Sequence, residues 1–470
     1  MTAATLVWLR RDLRLADHPA LADAAARGAV LPVYVLDEAG DPAAPGGAGR
    51  WWLHQSLAAL GRAVATAGGT LVLARGRAVD EIPRLAAACG AAAVAWTVHP
   101  GDGDREEVLA TRLAAAGIDI RRFPGDQLFA AGALRSGAGR AYQVFTPFWR
   151  RALELPAPPA PLPAPARLAP PDRVPPGLPL ESLGLMPRLE WWRGLAQAWR
   201  PGEDGAAAAL AEFLGGGLDG YDRRRDPPAA EGTSRLSPHL AFGEIGPRQV
   251  WHAVRARPPS GGADTFLKEV GWREFARHLL AAIPDLAERP MKRAFDSFPW
   301  CPDPGAERAW QRGVTGYPMV DAGMRQLWQT GWMHNRVRMI VGSFLVKDLL
   351  IPWQAGMAWF ADTLVDADIA SNAASWQWVA GCGADGQPFF RIFNPVAQGE
   401  KFDPDGAYVR RWVPELARLP AAWIHKPWLA PPLVLAEAGL RLGTTYPAPV
   451  IDHATARDRA LAAFRTLRDA

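Results

Sequence analysis

Five short β-prone apolar runs mark the first part of the chain, over residues 5–9, 30–36, 70–74, 92–98 and 118–122. Between them lie alanine-rich stretches with helical spacing of their apolar positions, such as Trp51–Ala67 and Asp80–Cys89. Strands that alternate with helices imply parallel pairing through right-handed crossovers. The pattern predicts a Rossmann-like α/β domain with a parallel sheet, ending near residue 130. Its first strand runs into Arg10-Arg11-Asp12-Leu13-Arg14 and carries no Gly-x-Gly-x-x-Gly, so neither NAD nor FAD is placed there.

From Pro156 to Pro179, eleven of twenty-four residues are proline. Such a stretch lacks the amide donors for a helix or central strand and runs extended over a surface. Residues 131–202 are therefore read as a long Pro-rich interdomain linker. After about residue 203 the spacing is helical: 206–214, 247–256, 265–282, 320–329, 333–350, 353–360 and a terminal helix over 454–467. The expected organisation is an α/β domain over 1–130 and an all-α domain over 203–470, with no internal repeat.

Composition narrows the class. A hydrophobic fraction of 49% with 21% charged residues is that of a folded globular chain. No apolar run approaches the ~20 residues that span a bilayer, and the chain starts with its apolar stretch ahead of its charges, unlike a signal peptide. A cytoplasmic protein is expected. The three cysteines, Cys89, Cys301 and Cys382, are odd in number and far apart, which offers neither a disulfide framework nor a Cys-x-x-Cys site. No His-Glu-x-x-His and no Gly-x-x-x-x-Gly-Lys occurs, so a metal site and nucleotide hydrolysis are unsupported. A net charge of +4 and a pI near 9.1 permit a polyanionic partner without demanding one.

The chemistry gathers in the second half. Between Thr315 and Asn394 stand six tryptophans, at 328, 332, 353, 359, 376 and 378, around the run Asp366, Asp368 and Asn372. Redox-capable rings beside carboxylates and a carboxamide suit an aromatic cofactor that exchanges electrons; a tryptophan-rich core is the competing reading. In the predicted helix around Leu267–Arg273, residues Glu269, Trp272, Arg273 and Ala276 share one stripe, which reads either as a binding face or as an i,i+4 ion pair over a buried indole. In Gly331–Met339, Trp332, Asn335, Arg336 and Met339 fall along one side and Arg338 faces elsewhere. That mixture of aromatic, amide, cation and thioether fits a ligand or nucleic-acid surface better than packing. Thr233-Ser234-Arg235-Leu236-Ser237 offers hydroxyls, amides and a guanidinium for a pyrophosphate, or a plain helix N-cap.

Taken together, four segments resemble the photolyase/cryptochrome family: Thr315-Gly-Tyr-Pro-Met-Val-Asp321, Gly331-Trp-Met-His-Asn-Arg-Val-Arg-Met339, Asp366-Ala-Asp-Ile-Ala-Ser-Asn-Ala-Ala-Ser-Trp-Gln-Trp378 and Phe390-Arg-Ile-Phe-Asn-Pro395. Within that family the chain is most similar to bacterial class I cyclobutane pyrimidine dimer photolyases. The resemblance runs over nearly the whole chain. It implies an N-terminal antenna domain and a helical domain holding U-shaped FAD, functional as the reduced anionic hydroquinone. Tyr221, Thr233, Ser234, Arg235, Leu236, Ser237, Trp332, Arg338, Asp366, Asp368 and Asn372 would line the FAD, with Arg273 close by and Asn372 beside flavin N5.

The resemblance further implies that Glu269, Trp272, Asn335, Met339 and Trp378 form the pocket for a flipped dimer, that Arg225, Arg336 and Arg391 grip the DNA backbone, and that Trp376, Trp353 and Trp300 relay electrons to oxidised flavin. Asn335 and Met339 stand where (6-4) enzymes carry a histidine pair, which favours cyclobutane dimers. The implied activity is light-driven repair of UV-damaged DNA by a monomer, without metal. A signalling cryptochrome without repair and a dark flavin oxidoreductase are the alternatives. The antenna stays open between methenyltetrahydrofolate, deazaflavin and none, with Asp102 as a candidate acid for a folate.

Overall fold

The computed structural model describes residues 4–41, 43–125, 127–130, 132–386 and 390–469. The chain divides into two compact units. The first spans Met1–Asp219, Ser234–Pro284 and Val365–Asp368; the second spans Gly220–Thr233, Asp285–Leu364 and Ile369–Ala470.

Five parallel strands in the order β3-β2-β1-β4-β5 build the sheet of the first unit: β1 (Ala4–Leu9), β2 (Val30–Leu36), β3 (Val72–Arg75), β4 (Ala91–Thr97) and β5 (Asp119–Phe123). They fall where the apolar runs place them because β1 and β2 are buried along their whole length, and only continuous hydrophobicity satisfies two covered faces. The crossovers are α1 (Pro19–Arg27), α2 (Gly47–Thr66), α3 (Ala78–Cys89) and α4 (Gly103–Ala115). One core joins Leu6, Trp8, Val33 and Trp96 of the sheet to Ile82 and Leu85 of α3 and Leu109 and Leu113 of α4. Trp8 and Trp96 are direct neighbours across β1 and β4, edge to face at 6.2 Å. No helix or strand forms between Pro156 and Pro179.

Two further helices of this unit matter for the site, α5 (Phe145–Glu154) and α6 (Gly261–Ala282). The α6 helix starts at Ser260, whose Oγ accepts from the Ala263 amide at 3.1 Å. Gly271 of α6 meets the indole of Trp149; a Cβ there would lie 2.5 Å from Trp149 Cε3, so glycine sets how closely the two helices approach.

The second unit holds α7 (Pro318–Thr330), α8 (Asn335–Ser343), α9 (Trp353–Thr363), α10 (Ile369–Ala380) and the terminal helix His453–Asp469. The motif Thr315–Asp321 is a turn closed on its own aspartate. Asp321 accepts from Thr315 N and Oγ1 (both 2.7 Å), Gly316 N (3.1 Å) and Tyr446 Oη (2.6 Å), while burial raises its pKa. The continuous helix expected over 333–350 is corrected. It begins at Asn335, where His334 accepts from the Arg336 amide at 3.2 Å. It then opens after Ser343 into one wider turn over Phe344–Asp348, and Leu350 leaves it with φ +56°. A side-chain acceptor at His334 caps the first turn there, which apolar spacing does not reveal.

The α9 and α10 helices meet through one indole. Trp376 of α10 lies edge to face with Phe360 of α9 at 5.0 Å and with Trp310 at 6.2 Å, and a Cβ on Gly356 would come 2.1 Å from Trp376 Cη2. Gly to Ala normally stabilises a helix interior by about 0.5–1 kcal/mol. At Gly356 the sign reverses, because the indole is held by two aromatic neighbours and cannot step aside. We predict that Gly356→Ala destabilises the protein by about 1–3 kcal/mol, read as a lower urea midpoint with an unchanged slope.

Candidate active site

In the first unit, the predicted face of α6 is present: Glu269, Trp272 and Arg273 are half-buried and Ala276 is buried. Trp272 stacks face to face on Phe145, with centroids 3.9 Å apart and planes 9° from parallel, and meets Phe275 edge-on at 5.8 Å. One face of the indole is thus taken and its tilt is fixed. Arg273 pairs with Glu274 at 3.4 Å and donates to Leu240 O at 3.3 Å. One turn on, buried Arg277 donates to Asp368 Oδ2 at 2.9 Å. Asp366 and Asp368 lie in the loop before α10 rather than on a helix, and Asp366 is buried.

The segment 233–237 does not act as an ordinary N-cap. The helix Ser237–Ala241 begins at Leu236 with no side-chain cap. Arg235 sits at φ +52°, a strained setting for a residue with a Cβ, and its guanidinium rests 4.1 Å from the Trp199 ring centroid. Ser234 Oγ accepts from the Leu236 amide at 3.4 Å.

In the second unit, Asn335 is exposed, and Arg336, Arg338 and Met339 are half-buried. Trp332 does not share their stripe: it precedes the start of α8 and is buried at 8% exposure. Arg338 donates to Met333 O at 2.8 Å. Arg336 lies on the Phe402 ring (4.4 Å), with Met339 Sδ 3.8 Å and Asp226 Oδ1 2.9 Å from its nitrogens. Tyr221 is buried, with the Arg225 guanidinium 5.4 Å from its ring centroid.

On α10, half-buried Asn372 donates to Met357 O at 2.9 Å, which leaves its amide oxygen directed by that bond. Trp378 and exposed Arg391 line one cleft with Lys292, Lys347 and Phe390, about 440 Å³ of space open to solvent. Trp353 and Trp376 are buried, and Trp300 is half-buried, 4.4 Å from Phe298.

Several residues escaped the sequence reading. Phe145 heads the spacing Phe145, Phe148, Trp149, a helical signal that was legible. Arg277 extends the Glu269, Arg273 stripe by one turn. Gln377, wholly buried, donates to Leu286 O (2.6 Å) and Arg289 O (2.9 Å) and accepts from Met291 N (2.8 Å); a glutamine between two tryptophans gave no hint of this. Asp102, the candidate acid for a folate, is buried, and only one of its carboxylate oxygens meets the arginines. Its Oδ2 is 2.6 Å from Arg10, 2.9 Å from Arg11 and 3.1 Å from Arg105. Burial opposes its charge, but the three arginines overcome that and hold the carboxyl well below the usual range. Those contacts engage Oδ2; Oδ1 has no hydrogen-bond partner among the described residues.

These residues fit FAD in their chemistry: hydroxyls not used for capping at 233–237, a buried carboxylate at Asp366, and an oriented amide at Asn372. Comparison with known proteins agrees. Residues 5–166 match the DNA photolyase family model, and residues 266–466 match the FAD binding domain of DNA photolyase. The chain belongs to the photolyase/cryptochrome family, and FAD is its cofactor.

It is 49% identical over 474 residues to the deoxyribodipyrimidine photo-lyase of Agrobacterium fabrum, covering 99% of this chain and 98% of that one. It is 39% identical to cryptochrome-2 of Arabidopsis thaliana, covering 100% of this chain and 80% of that one. A crystal structure of a bacterial class III photolyase from Agrobacterium tumefaciens superposes with a TM-score of 0.97 at 49% identity, covering 100% and 98% of the two chains. The class I placement gains no support from that neighbour. Among the described residues no helix is long and apolar enough to cross a membrane, and no group of three or more potential ligands could hold a metal.

His334 links the site to pH. Burial pushes its pKa down to about 4, helped by Arg336 and Arg338 and opposed by Asp226. Between that value and its ordinary 6.5 the unfolded chain binds a proton that the folded one does not, so stability falls as pH drops through this window. We predict that acidification from about pH 6.5 to about 4 lowers the stability of the native protein more steeply than that of His334→Asn, read from urea midpoints across the range.

Proposed function

We propose that the protein is a deoxyribodipyrimidine photolyase, a carbon-carbon lyase that uses light to split cyclobutane pyrimidine dimers in UV-damaged DNA. The match along almost the full length to proteins named deoxyribodipyrimidine photo-lyase carries this reading. The rigid Trp272 on Phe145 supplies what such a substrate needs, a flat apolar wall that does not have to be ordered on binding. The bound cofactor would supply light-excited electron donation to the dimer, with the electron returned once the cyclobutane ring has opened, so that the reaction is redox-neutral.

The protein's own groups bind and orient. In this reading Trp272 and Trp378 offer stacking faces to a flipped dimer that has lost its own stacking, and Glu269 and Asn335 hydrogen-bond its carbonyl and imide edges. Photolyases as a class are base-flipping enzymes, so flipping is the family's property and not a result of this geometry. Met339 fills the apolar side of the pocket. Arg225, Arg336 and Arg391 neutralise phosphates and make affinity depend on salt. Tyr221, Thr233, Ser234, Arg235, Leu236, Ser237, Arg273, Trp332, Arg338, Asp366, Asp368 and Asn372 hold FAD. Asn372 places a neutral amide at the flavin edge and so adds no charge beside an anionic reduced ring. Trp300, Trp353 and Trp376 serve reduction of the resting cofactor. We assign the protein to the cytoplasm as a monomer.

The test is restoration of intact thymines in an oligonucleotide carrying one thymine dimer, under blue light and in darkness, with photoreduced protein. Light-dependent restoration is expected. None, despite bound and reduced FAD, would move the cryptochrome reading to first place, which the similarity to the Arabidopsis protein makes the natural rival. Aromatic stacking on a base is worth about 1–3 kcal/mol, so Trp272→Ala should weaken dimer binding by roughly five- to 150-fold. Phe145→Ala should weaken it in the same direction by freeing the indole, with the FAD absorbance retained.

A further inference from the structure

Arg225 and Arg336 face one carboxylate. Asp226 Oδ1 lies 2.9 Å from Arg336 Nη2 and 4.0 Å from Arg225 Nε. The three side chains differ in exposure: Arg336 and Arg225 retain 20% and 19%, Asp226 39%. Each guanidinium is also laid on a ring, Arg336 on Phe402 at 4.4 Å and Arg225 on Tyr221 at 5.4 Å. The cations are therefore held in place by aromatic faces, and the acid between them is the most solvent-accessible member of the group. A half-buried ion pair on this scale still loses much of its Coulomb gain to water and side-chain ordering, and exposed pairs contribute only a fraction of a kcal/mol up to about 1 kcal/mol. Arg336 has its ring and the Met339 sulfur for support without Asp226, which makes a purely structural role for the acid weak.

We propose that Asp226 is a specificity-determining residue, a fixed negative charge that penalises DNA backbone bound out of register. This rests on the reading of Arg225 and Arg336 as phosphate ligands. Guanidinium groups attract phosphate from any direction, and that attraction alone gives affinity without selectivity. A carboxylate wedged between two such groups repels a phosphate that settles over the middle of the pair. It tolerates one that reaches a guanidinium edge pointing away from the acid. Like charges set side by side across an interface suppress wrong arrangements and fix register. Undamaged duplex, held by phosphates in many registers, bears this repulsion most often. A duplex anchored by a lesion in the pocket is confined to one register and bears it least.

The experiment measures binding of FAD-loaded protein in darkness to the same duplex with and without one thymine dimer, over about 50 to 200 mM salt. Asp226→Asn is nearly isosteric and keeps a hydrogen-bond acceptor for Arg336. It is expected to raise affinity for undamaged duplex several-fold, to raise affinity for the damaged duplex less, and to steepen the salt dependence on undamaged DNA by about 0.9 in log–log slope, one more released counterion. Asp226→Glu, which retains the charge, should return the slope to the native value. Arg336→Gln should make it shallower by a similar amount.

If Asp226→Asn leaves the slope unchanged or weakens both duplexes while Arg336→Gln still flattens it, the phosphate reading stands and this proposal is wrong. An equal steepening by Asp226→Glu would also overturn it, because the charge would then not be the cause. A native slope in Arg336→Gln would overturn the phosphate reading itself, and the role of Asp226 with it.

Discussion

The close approach of α9 and α10, made possible by Gly356, sets the geometry of the second unit. An indole fills the space where a Cβ would stand, so the rotation of α10 about its axis is fixed by the orientation in which Trp376 fits between Phe360, Trp310 and the glycine. Residues four apart share a helix face, and Asn372 accordingly also turns toward α9, where Met357 O receives its amide. The residue after Trp376, Gln377, points elsewhere and fastens the segment 286–291 through three backbone contacts. Trp378 follows onto the cleft beside Arg391. One steric fact thus orients an amide, a buried anchor and a cleft-lining ring on a single helix.

Buried carboxylates show how local surroundings divide a single side-chain type. Asp102 and Asp321 are both almost inaccessible. Asp102 meets three guanidinium groups and stays ionised; Asp321 is held by hydroxyl and amide donors, and burial raises its pKa. The first ties the residues after β1 to the start of α4. The second closes the turn ahead of α7. Asp368, paired with Arg277, gives the loop before α10 a defined anchor on α6 within the first unit.

The proposed binding groups share a design in which a ring supports the acting side chain. Phe145 backs Trp272, Phe402 backs Arg336, Tyr221 backs Arg225 and Trp199 backs Arg235. Ordering a long or flat side chain on binding costs about 0.5–1.5 kcal/mol each. Here that ordering is already made by packing, so contact with a flat base or a phosphate is not discounted by it. Tryptophans outside any electron path thereby gain a reason for their number.

Read along the chain alone, the residues specify the sheet almost position by position: strands covered on both faces need unbroken apolar runs, as β1 and β2 have, while β5, Asp119–Phe123, is partly exposed and mixes apolar with charged residues. Long motifs likewise mark the family, and with it most of the site candidates. The rest was settled by contacts between segments distant in the chain. The start of α8 at Asn335 depended on a histidine acceptor, which moved Trp332 off its expected stripe. The ionised state of Asp102 depended on three arginines, two of them following β1. The support of Trp272 by Phe145 joined residues far apart in number. Periodicity reports which face of an element is buried; the folded chain alone reports what it is buried against, because that choice is made by shape and charge across the chain and not along it.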